Sequence, residues 1–114
     1  MIKIDYSLEV EQAIKNNDPL VALESTIITH GMPWPENLNT AKAVEAIVRD
    51  NGATPATIAI IDGVIKVGLE DETLKELSTG GTVRKLSRAD LAHCLLNKET
   101  GSTTVAATMI IADL

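Results

Sequence analysis

Glu24 stands where a short apolar run meets two hydroxyl residues. Leu20–Leu23 is continuously apolar and is followed by Glu24, Ser25 and Thr26. This pattern is typical of a buried parallel strand that delivers polar groups at its carboxyl end, where ligands gather in open α/β sheets. A partly desolvated carboxyl at this point could hold a proton near neutral pH and act as a general acid. The alternative is an ionised glutamate that accepts hydrogen bonds from backbone N–H groups.

His30 opens a segment, residues 30–35, in which two prolines and Gly31 argue against a regular helix or a central strand. We interpret this segment as a loop of the active-site type, in which His30 contacts substrate or orients an acid. The alternative is a structural histidine. The other histidine, His93, is followed by Cys94 in an apolar helical pattern without further ligands, so the sequence predicts no local metal site.

Two further features could bind a phosphate group. Lys85 lies just before a predicted helix cap at Ser87, and residues 101–104 end in Thr103 and Thr104 at a predicted helix start with free backbone N–H groups. The alternatives are a solvated lysine at a strand edge and an ordinary threonine N-cap. The sequence Gly-Ser-Thr-Thr is not a Walker motif, so a nucleoside triphosphate is not indicated.

The elements that must position these residues alternate between helices and strands, which indicates one α/β domain over residues 1–114. Apolar residues recur at helical spacing most clearly over residues 37–51, with Glu45 and Arg49 as an i,i+4 pair. Asp62 and Gly63 between two apolar runs predict a two-residue hairpin. The predicted helices are 8–16, 37–51, 70–77, 91–97 and 105–111, and the predicted strands are 20–23, 56–61, 64–67 and 83–86.

The last predicted helix, residues 105–111, is almost wholly apolar and should need burial on all sides. The chain stops soon afterwards at Leu114, so we expect the cover of this helix to be incomplete. Exposed apolar surface is commonly buried by association. The sequence therefore predicts a homo-oligomer.

Composition excludes several classes of partner. Ten basic and sixteen acidic residues give a net charge of -6, which disfavours nucleic acid and anionic membrane surfaces. A single cysteine, Cys94, excludes an internal disulfide framework, and no secretory leader is evident, which points to the cytoplasm. No apolar run approaches the roughly 18 residues that a transmembrane helix needs.

Five ordered blocks are more distinctive than any single residue. They are residues 21–33, 52–60, 66–69, 85–91 and 103–109, and the most specific is Leu-Glu-Ser-Thr-Ile followed by His-Gly-Met-Pro. Together these blocks resemble the N-terminal part of the pseudouridine-5'-phosphate glycosidases, the family that includes indigoidine-cluster protein A. The resemblance implies a three-layer α/β/α fold with a mixed, largely parallel sheet, of which this chain is the N-terminal portion.

The resemblance also implies a reaction. The family reversibly cleaves the carbon–carbon glycosidic bond of pseudouridine 5'-phosphate to uracil and ribose 5-phosphate, through a lysine that opens the ribose and forms an iminium. Glu24 matches the family's proton donor. Lys85 and Val105 match substrate contacts, with Lys85 as a charge partner for phosphate. His30 matches a motif residue that we expect to support the site, and Thr103 and Thr104 fall in the last matching block.

Manganese and a homotrimer are further implications of the resemblance. The family's nucleophilic lysine and its manganese-binding aspartate have no counterpart here, because both lie downstream of Leu114. We therefore expect the isolated chain to be inactive. Two alternatives stay open: a non-catalytic module that binds sugar phosphates, and a structural remnant or split enzyme that needs a second chain.

Overall fold

A computed structural model describes residues 2–114. Over these residues the chain forms six strands and five helices, with a π-helical turn after the second strand and a short 3-10 turn before the fourth helix. The strands are β1 Ile4–Tyr6, β2 Leu20–Leu23, β3 Thr54–Ile61, β4 Val64–Val67, β5 Arg84–Leu86 and β6 Gly101–Thr103. The helices are α1 Leu8–Asn16, α2 Glu36–Asp50, α3 Asp71–Thr79, α4 Leu91–Leu96 and α5 Val105–Ala112.

All six strands belong to one mixed sheet. Its order is β1-β4-β3-β6-β5, and β2 pairs with the first half of β3. Three pairings are parallel, β1 with β4, β2 with β3 and β5 with β6, while β3 is antiparallel to both β4 and β6. The expectation of a mixed, largely parallel sheet is confirmed.

The long strand β3 is the centre of the three layers. Its side chains alternate between the two faces of the sheet. Ala59 packs with Ile28, Leu38 and residues of α3 on one face, whereas Ile58 and Ile60 pack on the other face. That second cluster also contains Ile65, Leu86, Cys94 and Ile111. Helices α2 and α3 therefore cover one face and α4 and α5 the other, which confirms the α/β/α arrangement.

Local signals in the sequence predict several element ends correctly. Ser7 caps α1 by accepting a hydrogen bond from the N–H of Val10 at 3.2 Å. The carboxylate of Asp90 accepts from both the N–H and the hydroxyl of Ser87. Asp62 and Gly63 have φ of 49° and 78° and join β3 to β4 as a two-residue hairpin. Such turns favour Asp-Gly because both central residues need positive φ.

Two strands depart from the sequence expectation. Strand β1 was not predicted, because its three residues are fixed by parallel pairing with distant β4. Residues 101–103 were expected to lead into a helix but form β6 instead. Gly101 allows this, since a Cβ there would lie only 2.5 Å from Cγ and Cδ1 of Leu86 on the neighbouring strand. Close packing between β5 and β6 thus depends on a glycine.

The burial of strand β2 was predicted wrongly, whereas the incomplete cover expected for helix α5 is confirmed. Strand β2 is parallel, as expected, but Leu20 and Val21 are each 39% exposed because β2 has a strand partner on one side only. Helix α5 buries Ala107, Thr108 and Ile111 but leaves Val105 and Met109 62% and 67% exposed. The sheet covers one face of α5, and no element within residues 2–114 covers the opposite face. Over the same residues, no helix is long and apolar enough to span a bilayer.

Candidate functional site

The carboxyl ends of β2 and β6 meet end to end along one edge of β3. Leu23 is in register with Thr57, and Ser102 with Ala59, so the two strands approach Ile58 from opposite directions. Parallel β2 and antiparallel β6 can share this edge because each uses a different half of the long strand. The segments that follow both strands therefore converge at one place.

Ser25 joins the two strand ends. Its Oγ donates a hydrogen bond of 2.6 Å to the carbonyl oxygen of Ile58 and accepts one of 2.8 Å from the N–H of Thr103. The N–H of Ser25 donates to the carbonyl oxygen of Thr103 at 3.1 Å. Ser25 is fully buried, so these bonds are shielded from water. They fix Glu24, the preceding residue, relative to the start of α5.

Glu24 is half-buried at the end of β2. Its Oε2 accepts a hydrogen bond of 3.2 Å from the N–H of Ile27, while Oε1 has no hydrogen-bond partner among residues 2–114. The carboxyl borders a cavity of about 190 Å³ whose other lining residues are mostly apolar: Leu23, Ile27, Ile28, Thr40, Ala41, Val44 and Thr57. One oxygen is thus held by a backbone N–H, and the other is available to a ligand. The proton-donor role stays a prediction.

The two predicted threonines differ sharply in access. Thr103 is 0% exposed, and its hydroxyl donates to the carbonyl oxygen of Ile58 at 2.8 Å and lies 2.8 Å from the hydroxyl of Thr108. Its side chain supports the strand junction and presents no surface to a ligand. Thr104 is half-buried and caps α5 by accepting from the N–H of Ala107 at 3.3 Å, as the sequence predicted.

Thr104 also ties the end of β5 to the same edge, because its N–H donates to the carbonyl oxygen of Leu86 at 3.0 Å. Lys85, which precedes Leu86 in β5, is exposed and has no ion-pair partner within 4 Å among the described residues. The neighbouring Arg84 is paired with Glu99 at 2.8 Å. Val105, exposed at the first position of α5, completes the group of predicted substrate contacts at this edge.

His30 lies in the π-helical turn Ile27–Gly31, so the expected loop is helical over its first two residues. Met32 is extended and Trp34 and Pro35 form a turn, so the rest of the segment is neither helix nor strand, as the two prolines suggested. His30 Nδ1 is 2.6 Å from the hydroxyl of Thr29, which donates to the hydroxyl of Ser102 at 2.6 Å. Ser102 is the register partner of Lys85, and paired residues of neighbouring strands project to the same face. His30 and Lys85 are thereby placed on the α2 and α3 face of the sheet.

The side chain that holds this turn was not predicted from the sequence. Asn37, buried near the start of α2, donates through Nδ2 to the carbonyl oxygens of Ile28 at 2.8 Å and Ser78 at 2.7 Å. A π-helical turn leaves backbone carbonyls without their usual helical partners, and Asn37 satisfies one of them. The available signal was an amide on the same helical face as the buried Ala41.

Residues 9–114 match the family model described as indigoidine synthase A like protein. The chain belongs to this family. Among curated relatives, a pseudouridine-5'-phosphate glycosidase of Staphylococcus aureus is 62% identical over 109 residues, which are 96% of this chain and 36% of the relative. A protein of the same name from Paracoccus denitrificans is 59% identical over 113 residues, covering 97% of this chain and 37% of the relative.

Solved structures give the same family relationship. The prealnumycin C-glycosynthase AlnA, in complex with ribulose 5-phosphate, is 36% identical with a TM-score of 0.83, over 97% of this chain and 35% of that chain. An indigoidine synthase A-like protein from Thermotoga maritima is 25% identical with a TM-score of 0.83, over 97% and 36%. The chain thus spans about a third of the length of these relatives. The expected resemblance, covering only part of the family's length, is confirmed.

Proposed function

We propose that this chain contributes the proton donor and part of the sugar-phosphate site of a pseudouridine-5'-phosphate glycosidase. The observation that carries the proposal is the junction of β2 and β6, which brings Glu24 and the start of α5 to one edge of the sheet in a chain whose relatives bear that name. The reaction would be reversible cleavage of pseudouridine 5'-phosphate to uracil and ribose 5-phosphate.

Glu24 is the proposed proton donor. Cleavage of a carbon–carbon glycosidic bond needs a positioned acid, and general acids act from a fixed position within hydrogen-bond reach of the atom that they protonate. The bond from Ile27 N–H to Oε2 fixes the carboxyl, and Oε1 is left to hold the proton. The adjacent cavity, with its mostly apolar lining, leaves space beside Glu24 for part of a ligand.

Lys85 is the proposed phosphate contact. An exposed lysine without a carboxylate partner is available to an anion, and Thr104 lies at the same edge through its bond to the carbonyl of Leu86. Val105 would contact the substrate through its exposed apolar side chain. Thr103 would act indirectly, because its hydroxyl bonds the carbonyl oxygen of Ile58 and so stabilises the junction of β2 and β6.

Turnover by the isolated chain is not expected. The proposed chemistry needs a lysine nucleophile, and such lysines are activated by desolvation or by a neighbouring cation. Lys66 is paired with Asp5 at 2.9 Å, and Lys85 is exposed to solvent. Residues 2–114 also contain no group of three His, Cys, Asp or Glu side chains placed to bind a metal ion, so they do not fit a manganese site. No step proposed for this chain passes through a metal.

Calorimetric titration of ribose 5-phosphate into the purified chain tests the proposal. Loss of a charge-assisted hydrogen bond costs about 1.5–3 kcal/mol, so Lys85→Met should weaken binding by roughly tenfold or more. Lys75→Met, which removes an exposed lysine on α3, should leave binding unchanged. Absence of binding by the unaltered chain would refute the sugar-phosphate site. Release of uracil from pseudouridine 5'-phosphate, followed by mass spectrometry, would refute the expected inactivity.

We further propose that the chain associates with copies of itself in the cytoplasm. An apolar groove of about 760 Å³ runs between β4, α4 and α5, and Leu96 and Leu114 beside it are largely exposed. Burial of such a surface favours association. Sedimentation should detect an oligomer, a trimer by analogy with the family, which Leu96→Glu weakens and Lys75→Glu does not. A monomer at all concentrations would refute the proposal.

A further inference from the structure

We infer that His30 is held as the Nδ1-protonated tautomer, so that its Nε2 is a hydrogen-bond acceptor for an O–H or N–H group of the substrate. The observation is a chain of hydrogen bonds that starts at His30 and ends at a backbone carbonyl. It runs from His30 Nδ1 to Thr29 Oγ1, to Ser102 Oγ and to the carbonyl oxygen of Arg84. The ligand part of the inference rests on the proposed function, whereas the tautomer does not.

The end of this chain of hydrogen bonds favours one donor direction for the bonds in it. A backbone carbonyl can only accept, so in the 3.4 Å contact between Ser102 and the oxygen of Arg84, which is longer than an ordinary O–H···O bond, Ser102 is the donor. Ser102 can then only accept from Thr29, and that bond is 2.6 Å long. The hydroxyl proton of Thr29 is therefore committed to Ser102.

His30 must supply the proton of the remaining bond. Its Nδ1 lies 2.6 Å from Thr29 Oγ1, too close for two groups that both present lone pairs. Nδ1 therefore carries a hydrogen. In a neutral imidazole only one nitrogen is protonated, so Nε2 keeps its lone pair.

The chain of hydrogen bonds from His30 through Thr29 and Ser102, here called the relay, is rigid at its Ser102 end because that end is buried. Ser102 is fully buried in β6, Thr29 is half-buried, and the imidazole of His30 is exposed. The turn that carries both Thr29 and His30 is pinned by the buried Ile28 and by the bond from Asn37 to the carbonyl of Ile28. No residue in the described range lies within hydrogen-bond distance of Nε2. The fixed ring thus offers a free acceptor on the outer side.

The position of the ring suggests what this acceptor binds. His30 and Lys85 are linked through Ser102, which bonds Thr29 on one side and is in register with Lys85 on the other. A ligand whose phosphate contacts Lys85 would carry hydroxyl groups close to that anion, and a pyrimidine would carry ring N–H groups. Both are donors, and an imidazole lone pair is the complementary partner.

Long-range ¹H–¹⁵N correlation spectra of the ¹⁵N-labelled chain test the tautomer. Spectra are recorded near pH 8.5, about two units above the ordinary histidine pKa of roughly 6.5. His93, assigned through His93→Gln, provides the exposed reference ring. His30 should show a protonated Nδ1 and an unprotonated Nε2. A protonated Nε2 in the unaltered chain would overturn the inference.

Variants of the relay separate it from a merely structural histidine. Thr29→Val removes the oxygen that accepts from His30 Nδ1 and should shift His30 towards the Nε2-protonated form. Ser102→Ala should have the same effect, because the hydroxyl proton of Thr29 loses its acceptor and can be donated to Nδ1 instead. Thr29→Ser keeps the hydroxyl and should keep the tautomer. If the tautomer is the same in Thr29→Val as in Thr29→Ser, the relay does not set it and the inference fails.

Ligand titrations in the same spectra test the acceptor role. A shift of the His30 Nε2 resonance with ribose 5-phosphate but not uracil identifies a sugar hydroxyl, and the reverse identifies a pyrimidine N–H. If calorimetry detects ribose 5-phosphate binding but neither ligand shifts Nε2, the acceptor role is overturned while the proposed function stands. If neither ligand binds, the proposed function and the ligand role fail together, and the tautomer measurement still decides the relay.

Discussion

Ser25 Oγ lies 2.6 Å from the carbonyl oxygen of Ile58, at the point where β2 and β6 meet. Ser25 Oγ also accepts a hydrogen bond from the N–H of Thr103. This one hydroxyl therefore connects the ends of β2 and β6 to β3. Because Ser25 follows Glu24 directly, the bond that closes the sheet also fixes the proposed acid. Stability and site geometry are therefore coupled at this residue.

Ser25→Ala should destabilise the chain. The substitution leaves the buried N–H of Thr103 without an acceptor, whereas Ile58 retains the hydroxyl of Thr103 as a donor. An unsatisfied buried donor costs about 1–3 kcal/mol, and the free energy of unfolding in urea should fall by that amount. Thr79→Ala, which removes an exposed hydroxyl on α3, is the control and should change it by less than about 0.5 kcal/mol. Equal effects of the two substitutions would contradict this assignment.

Glu45 and Thr57 should be energetically coupled. The hydroxyl of Thr57 donates to the buried carboxylate of Glu45 at 2.6 Å, and thereby attaches α2 to β3. Glu45→Ala leaves the buried hydroxyl of Thr57 without its acceptor, and Thr57→Val removes that hydroxyl. In urea unfolding the double variant should thus be less destabilised than the sum of the single variants, by about 0.5–3 kcal/mol.

The control for this cycle pairs Thr57→Val with Glu72→Ala on α3. Glu72 shares no hydrogen bond with Thr57, so the two effects should add within about 0.5 kcal/mol. If the effects of Glu45→Ala and Thr57→Val on the free energy of unfolding were also additive, the hydrogen bond between Thr57 and Glu45 would contribute nothing to stability.

The sequence identifies features that are local, and the structure adds those that depend on distant pairing. The five helices follow from apolar spacing and from caps such as Ser7, and the hairpin follows from Asp62-Gly63. Strands β1 and β6 each have three residues and acquire their conformation from partners far along the chain. Such short strands carry too few residues for a period of two to be detected.

The site divides in the same way. Glu24 and Thr104 stand out because a strand end and a helix start are marked by their immediate neighbours. The support beneath them is formed by contacts that span 78 residues from Ser25 to Thr103 and 73 residues from Thr29 to Ser102. Nothing in the neighbouring residues of Ser102 indicates that its hydroxyl serves His30. Contacts of this kind follow from the sheet order, which the sequence pattern did not determine.

Glu9 should contribute to the loss of stability in acid. The guanidinium of Arg49 forms two hydrogen bonds with Glu9, at 2.7 and 2.8 Å, and holds the pKa of this carboxyl below its ordinary value of 4.5. A depressed pKa in the folded state stabilises it above pH 4.5, and this contribution is lost as the pH falls through the folded-state pKa. The pair is partly exposed, so its contribution should be below about 1 kcal/mol.

Glu9→Gln tests this by urea unfolding between pH 7 and pH 3. The unaltered chain should be more stable than the variant at neutral pH, and the difference should shrink below pH 4.5. Glu11→Gln on the same helix lacks the Arg49 contact and is the control. A difference that is constant across this range would exclude the ion pair as its source.

Cys94 should be unreactive in the folded chain. It is fully buried in the cluster beneath α4, where its Sγ donates to the carbonyl oxygen of Glu99 at 3.4 Å. Burial, followed by the charge of Glu99, raises the pKa of the thiol above 9.0, so the reactive thiolate is scarce at neutral pH. This raised pKa also means that folded-state stability should decline as the pH rises above 9.0.

Reaction with an aromatic disulfide reagent at pH 8 measures this directly. Labelling of Cys94 should wait for opening of the structure, so its rate should increase with urea in proportion to the unfolded fraction. The double variant His93→Cys, Cys94→Ser places a thiol at an exposed position of the same helix, outside the apolar groove, and should react rapidly without urea. Rapid labelling of Cys94 in the unaltered chain would contradict this prediction and would mean that α4 or α5, whose Ile111 packs in the same cluster, opens locally.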